Sequence, residues 1–388
     1  MKVISNPQGK TLAQTLAVQS QIHLSGTVGR ILKQIRDIEQ IAPIFVETEM
    51  VRSIDRPNPL NLRVAGIATK FATLPTMGGH LYASAATRVD IAIENNAISS
   101  FGQDNTCEID DIEYENLSKR LQLIGVRQAY EMADSALRSS ERYDLILLDC
   151  PLVLNRSMVP LKEDAAYAGH RAAYNKTIGV ISKFWETHQN KLFPWNPNGT
   201  VVVGVATERY GAIVHISQQD LRTDKGRQHL LSTEKVDVNR LRTLIGSENI
   251  IASIGEKRFV FGLLNNCYTR TAAFRMNIQA PEMEPTDVVK MGVIGLHFKS
   301  SDTTGPILLQ FIGNEPLWTR QNLDHIVGQI MAITVIGGLQ AAPIPIQLAA
   351  KEQQALDNFI KYYDLSVRAE IKRNEIGNIW LSNFGELS

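Results

Sequence analysis

The chain has 388 residues, enough for one large domain or two ordinary ones, and 44% are apolar, so a sizeable core can be buried. Its 40 Lys and Arg balance 40 Asp and Glu, which removes any overall electrostatic attraction to nucleic acid while leaving a local basic groove possible. Cys107, Cys150 and Cys267 are too far apart for a zinc motif or a disulfide framework, and their use points to a reduced, cytoplasmic protein.

The N-terminal stretch MKVISNPQGKTLAQTLAVQ lacks the apolar core of a signal peptide, and no run reaches the roughly 18 apolar residues of a membrane span. Residues 11–42 read as helix with an interruption near Ser25-Gly26. Their stripe Ile31, Ile35, Ile38 and Ile41 suits either the chain's own core or a partner. A Pro-rich joint, DRPNPLN, follows at 55–61, so the expected division is a helical segment, 1–55, and a main domain, 56–388.

After the joint, LRVAGIATKF (62–71) and LYASAATRVDIAIEN (81–95) read as strands. Residues 109–139 read as a helix with acids at its start. A strand, 144–149, and a helix, 163–188, come next. Further strands are expected at 199–207, 258–264, 290–299 and 305–313, with helices at 322–336 and within 343–365. Mixed strands and helices of this kind predict an α/β fold around one mixed sheet.

The strand LILLDCP stops on an acid, Asp149. On the preceding helix Leu117, Leu121 and Ile124 form an apolar stripe, and seven residues further lies Glu131. If that stripe packs on the strand, Glu131 and Asp149 meet. Two carboxylates in a partly buried place repel, and a hard divalent cation such as Mg²⁺ or Mn²⁺ would compensate them. The alternative is that Asp149 caps the following turn while Glu131 reaches water or pairs with Arg127 or Arg138.

Together these segments resemble the NurA nucleases. RVAGIATKF, GGHLYASAATRV, the LLD strand, GTVVVGVATERYG and GGLQAAPIPIQLAAKEQQ follow one another in the family's order. The resemblance implies an RNase H-like mixed sheet flanked by helices, a helical N-terminal segment, a homodimer and a HerA-type hexameric ATPase as partner in DNA repair or antiviral defence. It also implies Mn²⁺ or Mg²⁺ as cofactor of DNA cleavage. The family's first strand ends on a metal-binding Asp, and here Ala68 stands there, followed by Thr69-Lys70. Its C-terminal Tyr and His fall on Ala342 and Ala350. Only Glu131 and Asp149 remain as residual catalytic and metal-ligating residues, with Asp90 and Glu94 as conceivable replacements.

The expected function is therefore a DNA clamp or adaptor with little or no nuclease activity. An active metal-dependent nuclease using Glu131 and Asp149 is one alternative, and an interaction scaffold that binds no DNA is another. Lys70, Arg209 and Tyr210 are the expected DNA contacts, the last two as a cation for phosphate beside a ring for stacking. Arg88, Lys257, Arg258 and Arg270 are further basic candidates. His80, His297 and His325 read as a loop, a strand and a surface helix residue. No phosphate-binding glycine loop is present, so an intrinsic ATPase has no support.

Overall fold

The computed structural model describes residues 11–76, 78–154, 156–160, 167–206, 230–245, 254, 256–276, 292–301, 304–313, 315–336 and 342–374. Its frame is a 10-stranded sheet. The strands are β1 (Val51–Ser53), β2 (Leu62–Pro75), β3 (His80–Glu94), β4 (Ala97–Ile112), β5 (Leu145–Leu148), β6 (Val201–Ala206), β7 (Thr269–Thr271), β8 (Phe274–Arg275), β9 (Val293–Lys299) and β10 (Ile307–Ile312). They lie in the order β1-β7-β9-β10-β6-β5-β2-β3-β4, with β8 on β9. The two central pairs, β2–β5 and β5–β6, are parallel, and the rest are antiparallel.

Parallel strands need cover on both faces. All four residues of β5 are fully buried. Ile146 and Leu148 pack beneath α2 (Leu117–Arg138) and α3 (Ala168–His188), whose Ala129, Ala133, Tyr174 and Trp185 share their cluster. Leu145 and Leu147 face the opposite core, with Ile330 and Ile333 of α6 (Arg320–Ile336) and Ile346 and Ala349 of α7 (Ile344–Glu352). Gly66 on β2 permits this second contact, because a Cβ there would lie 2.6 Å from the Pro345 Cβ and 2.7 Å from the Ile346 nitrogen.

The long helix α1 (Leu12–Glu47) opens with a capping box at Thr11 and Gln14 and runs unbroken through Gly26. The expected interruption is absent, since the helix continues in the same register on both sides. Ile38 and Ile41 are buried against α5 (Glu256–Leu263), while Ile35 is 42% exposed. One end of the stripe therefore packs on the chain's own core and the other faces solvent. β1 follows α1 directly and joins the main sheet through β7.

Two expected elements change type. Residues 258–264 were expected as a strand and form the helix α5, whose Phe259, Val260 and Leu263 sit on one helical face against Phe45. Residues 109–112 belong to β4 rather than to a helix, and α2 starts only at Leu117. The run of hydrogen-bonded partners along β3 overrides the acidic, helix-like composition of IDDIEYEN.

A second helix, α4 (Val238–Ile245), and a buried ion network close the far end of the sheet. Glu234 is completely buried and accepts from Arg270 at 2.6 Å and from the Ala273 backbone at 2.9 Å. Arg52 of β1 lies 3.0 Å from the same carboxylate. Arg270 also reaches Asp324 of α6 at 2.6 Å. The network joins β1, β7 and α6 and places Arg270 in the interior, so Arg270 is not a DNA contact.

Removing Glu234 would leave two guanidinium groups buried without it. Glu234→Ala is expected to cost about 3–5 kcal/mol, read as a fall in the urea midpoint. Asp357→Ala breaks a pair whose acid is 61% exposed and should cost under about 1 kcal/mol in the same assay.

Candidate functional site

Asp149 follows β5 directly, at the carboxyl ends of the parallel strands. Its backbone N–H donates to the Ile67 carbonyl at 2.8 Å. The β2–β5 register pairs Ile67 with Leu148, so the next position on β2, Ala68, stands beside Asp149. The acid lines a cleft of about 470 Å³. Thr69, Lys70 and Phe71 border it from β2, Leu121, Gln122, Gly125 and Val126 from α2, and Pro151, Leu154 and Met158 from the following loop.

α2 presents small residues to the sheet. Gly125, Ala129, Ala133 and Ala136 form one stripe, and the three alanines are wholly buried. A Cβ on Gly125 would lie 3.2 Å from the Thr69 Oγ1. This lets the helix backbone come close to β2 beside the cleft. The larger stripe, Leu117, Leu121 and Ile124, instead packs on Tyr82 of β3 and Ile112 of β4.

Glu131 therefore does not meet Asp149. With 3.6 residues per turn it lies about 120° around the helix from Gly125. It is 47% exposed and sits 3.7 Å from Arg127, which also pairs with Glu108 of β4. The expected carboxylate pair fails because the bulky stripe that ends on Glu131 covers the β3–β4 hairpin rather than β5. At the cleft, the helix offers Gly125 and Gln122 instead.

Burial pushes the Asp149 carboxyl up to about 6 from its usual value. Among the described residues no charge opposes or adds to that effect. Burial also raises the adjacent Cys150 thiol, which makes it a poor nucleophile. Lys70 borders the cleft, but its Nζ is 2.6 Å from Asp357 at the start of the C-terminal helix α8 (Leu356–Arg373), so its charge is already compensated. Gln353, buried between α7 and α8, donates to the Ala68 carbonyl at 2.6 Å. Ala342 is half-buried against the core and Ala350 is exposed.

The remaining candidates lie elsewhere. Asp90 sits on β3 with Arg88 at 3.1 Å, in a second cleft that includes Arg63, Glu141 and Tyr143 and borders the opposite end of β5. Glu94 is exposed at the end of β3. Neither joins Asp149. His80 starts β3 and packs edge-on against Tyr114. His297 is buried in β9. His325 contacts Gln329 on α6. Arg258 is exposed and contacts Gln34 of α1. Arg209 and Tyr210 lie outside the described residues, as does the Lys257 side chain.

A hard divalent cation would need several oxygen ligands. Among the described residues the cleft offers one carboxylate, which burial already biases towards its neutral form, with Ala68 beside it and Gly125 across from it. Among the described residues no group of three or more His, Cys, Asp or Glu is placed to hold a metal. The described residues of the cleft do not by themselves make up a catalytic metal centre.

No family model matches the chain, and no curated protein matches it. Among solved structures it is similar to the NurA nuclease from Sulfolobus solfataricus, at 12% identity, over 92% of this chain and 97% of that one, with a TM-score of 0.58. This chain has a NurA-like fold. A NurA bound to dAMP and manganese is also similar, at 11% identity over 86% of this chain and 93% of that one, with a TM-score of 0.46. The NurA-like frame brings β2, β5 and α2 together at the carboxyl end of the sheet. It does not by itself supply the acids.

One signal would have found part of the missed site. The small-residue spacing of Gly125, Ala129 and Ala133 marks the close-packing face of α2 better than the bulky stripe does. Gln122, one turn before Gly125 on that side, then follows as a cleft residue. No short-range signal marks Gln353, whose partner Ala68 is far away in sequence.

A buried acid whose folded state holds its proton more tightly than the unfolded chain lowers stability as pH rises. For Asp149 the loss should develop between about pH 4 and about pH 6 and persist above. Asp149→Asn is therefore expected to be more stable than the wild type at pH 8, by at most about 2–3 kcal/mol, with the two converging near pH 4. Chemical denaturation across that range checks it. Millimolar Mn²⁺ should leave the melting temperature unchanged, whereas a metal held by the folded state alone would raise it.

Proposed function

We propose that this protein is a DNA-binding clamp or adaptor on a NurA-like frame, working as a homodimer beside a HerA-type hexameric ATPase, with its nuclease chemistry lost. The observation that supports this most directly is that Asp149 is the one carboxylate of the cleft among the described residues. Asp149 keeps its place at the end of β5, but Ala68 stands beside it in register and Gly125 faces the cleft from α2. Phosphodiester hydrolysis at a metal site needs ligands to bind the ion, activate water and stabilise the leaving oxygen. Alanine and glycine have no side-chain donor for any of these tasks.

The fold remains whole around this depleted site, so its use as a binding frame is the reading that the residues favour. The ATPase partner follows from the NurA resemblance, and any motor activity would be that partner's. The role fits DNA repair or antiviral defence. Arg209 and Tyr210 are proposed as phosphate and base contacts. Lys70 would join them only if its pair with Asp357 opened.

An active enzyme using Glu131 and Asp149 is disfavoured, because Glu131 is directed to Arg127 at the surface. The test is digestion of single- and double-stranded DNA with Mn²⁺ or Mg²⁺, beside Asp149→Ala. The expected outcome is no cleavage by either protein. Cleavage that vanishes in the mutant overturns the reading. Binding to labelled DNA should weaken steeply with salt, with a linear dependence of log affinity on log concentration. Absence of DNA binding, both alone and with a HerA-type ATPase, would leave only the scaffold.

A further inference from the structure

β4 ends the sheet, and its outer edge has no strand neighbour among the described residues. It is 16 residues long, about 54 Å at about 3.4 Å per residue. All of it except Ile112 is exposed or half-buried. An unprotected edge of that length presents a row of free backbone donors and acceptors, and proteins usually shorten, bend or cover such an edge.

The side chains specify a partner. Between Ala97 and Ile112 there are four acids, Asp104, Glu108, Asp110 and Asp111, and no Lys or Arg. Random self-pairing would set carboxylates against one another. Phe101 and Ile109 are nevertheless 58% and 38% exposed. They oppose Ile91 and Ala83 of β3 and so share one face of the hairpin.

In antiparallel pairing about a two-fold axis, opposed residues must lie on the same face, so the axis must pass through a residue position. With the axis at Asn105, Phe101 meets the partner's Ile109. Asp104 then meets the partner's Thr106, Glu108 the partner's Gly102, and Asp110 the partner's Ser100. No acid opposes an acid. An axis at Asp104 sets that acid against itself, one at Thr106 sets it against the partner's Glu108, and one at Cys107 against the partner's Asp110. An axis at Gln103 avoids acid pairs but puts Phe101 against the partner's Asn105 and leaves Ile109 without an apolar partner. One register combines apolar contact with separated charge from Ser100 to Asp110, the regular part of the strand beyond the bulge at Ser99.

We propose that β4 pairs with β4 of a second copy of this chain, antiparallel and centred on Asn105, to form one continuous sheet across the dimer. This deepens the dimeric part of the functional reading by giving it a surface, and it does not depend on DNA binding. The acids then act as a register lock, since moving the axis by one residue sets Asp104 against its own copy in one direction and, twice by symmetry, against the partner's Glu108 in the other.

The test is the solution mass by sedimentation equilibrium, with two substitutions at one half-buried position. Wild-type protein should have twice the monomer mass. Thr106→Asp places an acid opposite the partner's Asp104 at two sites and should halve that mass with unchanged circular dichroism. Thr106→Lys should keep the dimer. Opposed antiparallel residues have Cα atoms about 4.5–5.5 Å apart, within disulfide reach. Asn105→Cys in a Cys107→Ser background should therefore form an interchain disulfide on mild oxidation. Gln103→Cys should cross-link to the partner's native Cys107, and the wild type should not cross-link. A monomeric wild type at micromolar concentration overturns both this edge and the homodimer. A dimer that survives Thr106→Asp and gives neither cross-link overturns the edge alone, leaving another surface such as the exposed part of α1. DNA binding by either species tests the clamp separately.

Discussion

The structure depends on one constraint, the burial of β5 on both faces. Its four apolar residues, Leu145 to Leu148, have no access to water. Such a strand must lie between others and must be covered above and below. That requirement sets β2 and β6 beside it in parallel and brings α2 and α3 over one face and α6 and α7 over the other. The backbone at the strand's carboxyl end is then the natural place for an opening, and Asp149 stands there. The acid after this apolar run is thus explained by position, since it borders a cleft at the edge of a doubly covered strand.

What surrounds Asp149 decides its chemistry. A carboxylate in a metal centre has its charge balanced by the ion and shared with other ligands. Here burial, with no opposing charge among the described residues, lifts the group towards neutrality. The nearby ammonium of Lys70 is directed to Asp357. Gly125 lets α2 come close to Thr69 of β2, and Ala68, in register with Asp149, turns its methyl group to the opposite core.

Polarity is used elsewhere to join parts rather than to react. Glu234, between Arg270 and Arg52, ties β1 to the sheet, and Arg270 carries the link on to α6. Glu108 binds Arg127 and accepts from Tyr82, anchoring α2 to the hairpin. The outer half of α1 and the edge of β4 remain without cover among the described residues. They are the parts of the frame whose chemistry looks outward, and the spacing of charge along β4 favours a copy of itself.

The α/β class, most strands, the greater part of α1 and the place of Asp149 at a strand end were legible in the sequence, because each follows from local periodicity and chain punctuation. That Ala68 brings no side-chain oxygen to the end of its strand was legible too, since it can be read from the residue itself. The type of residues 258–264 and the strand at 97–112 were not, because a short apolar or mixed stretch takes its form from what it packs on. The partner of Asp149 was decided only by the tertiary structure. Two stripes on α2 could each have faced the sheet, and the choice of the small one depends on how close β2 and β5 allow the helix to come. That distance is a property of the packed layers, and it turned Glu131 outwards and left Gly125 at the cleft.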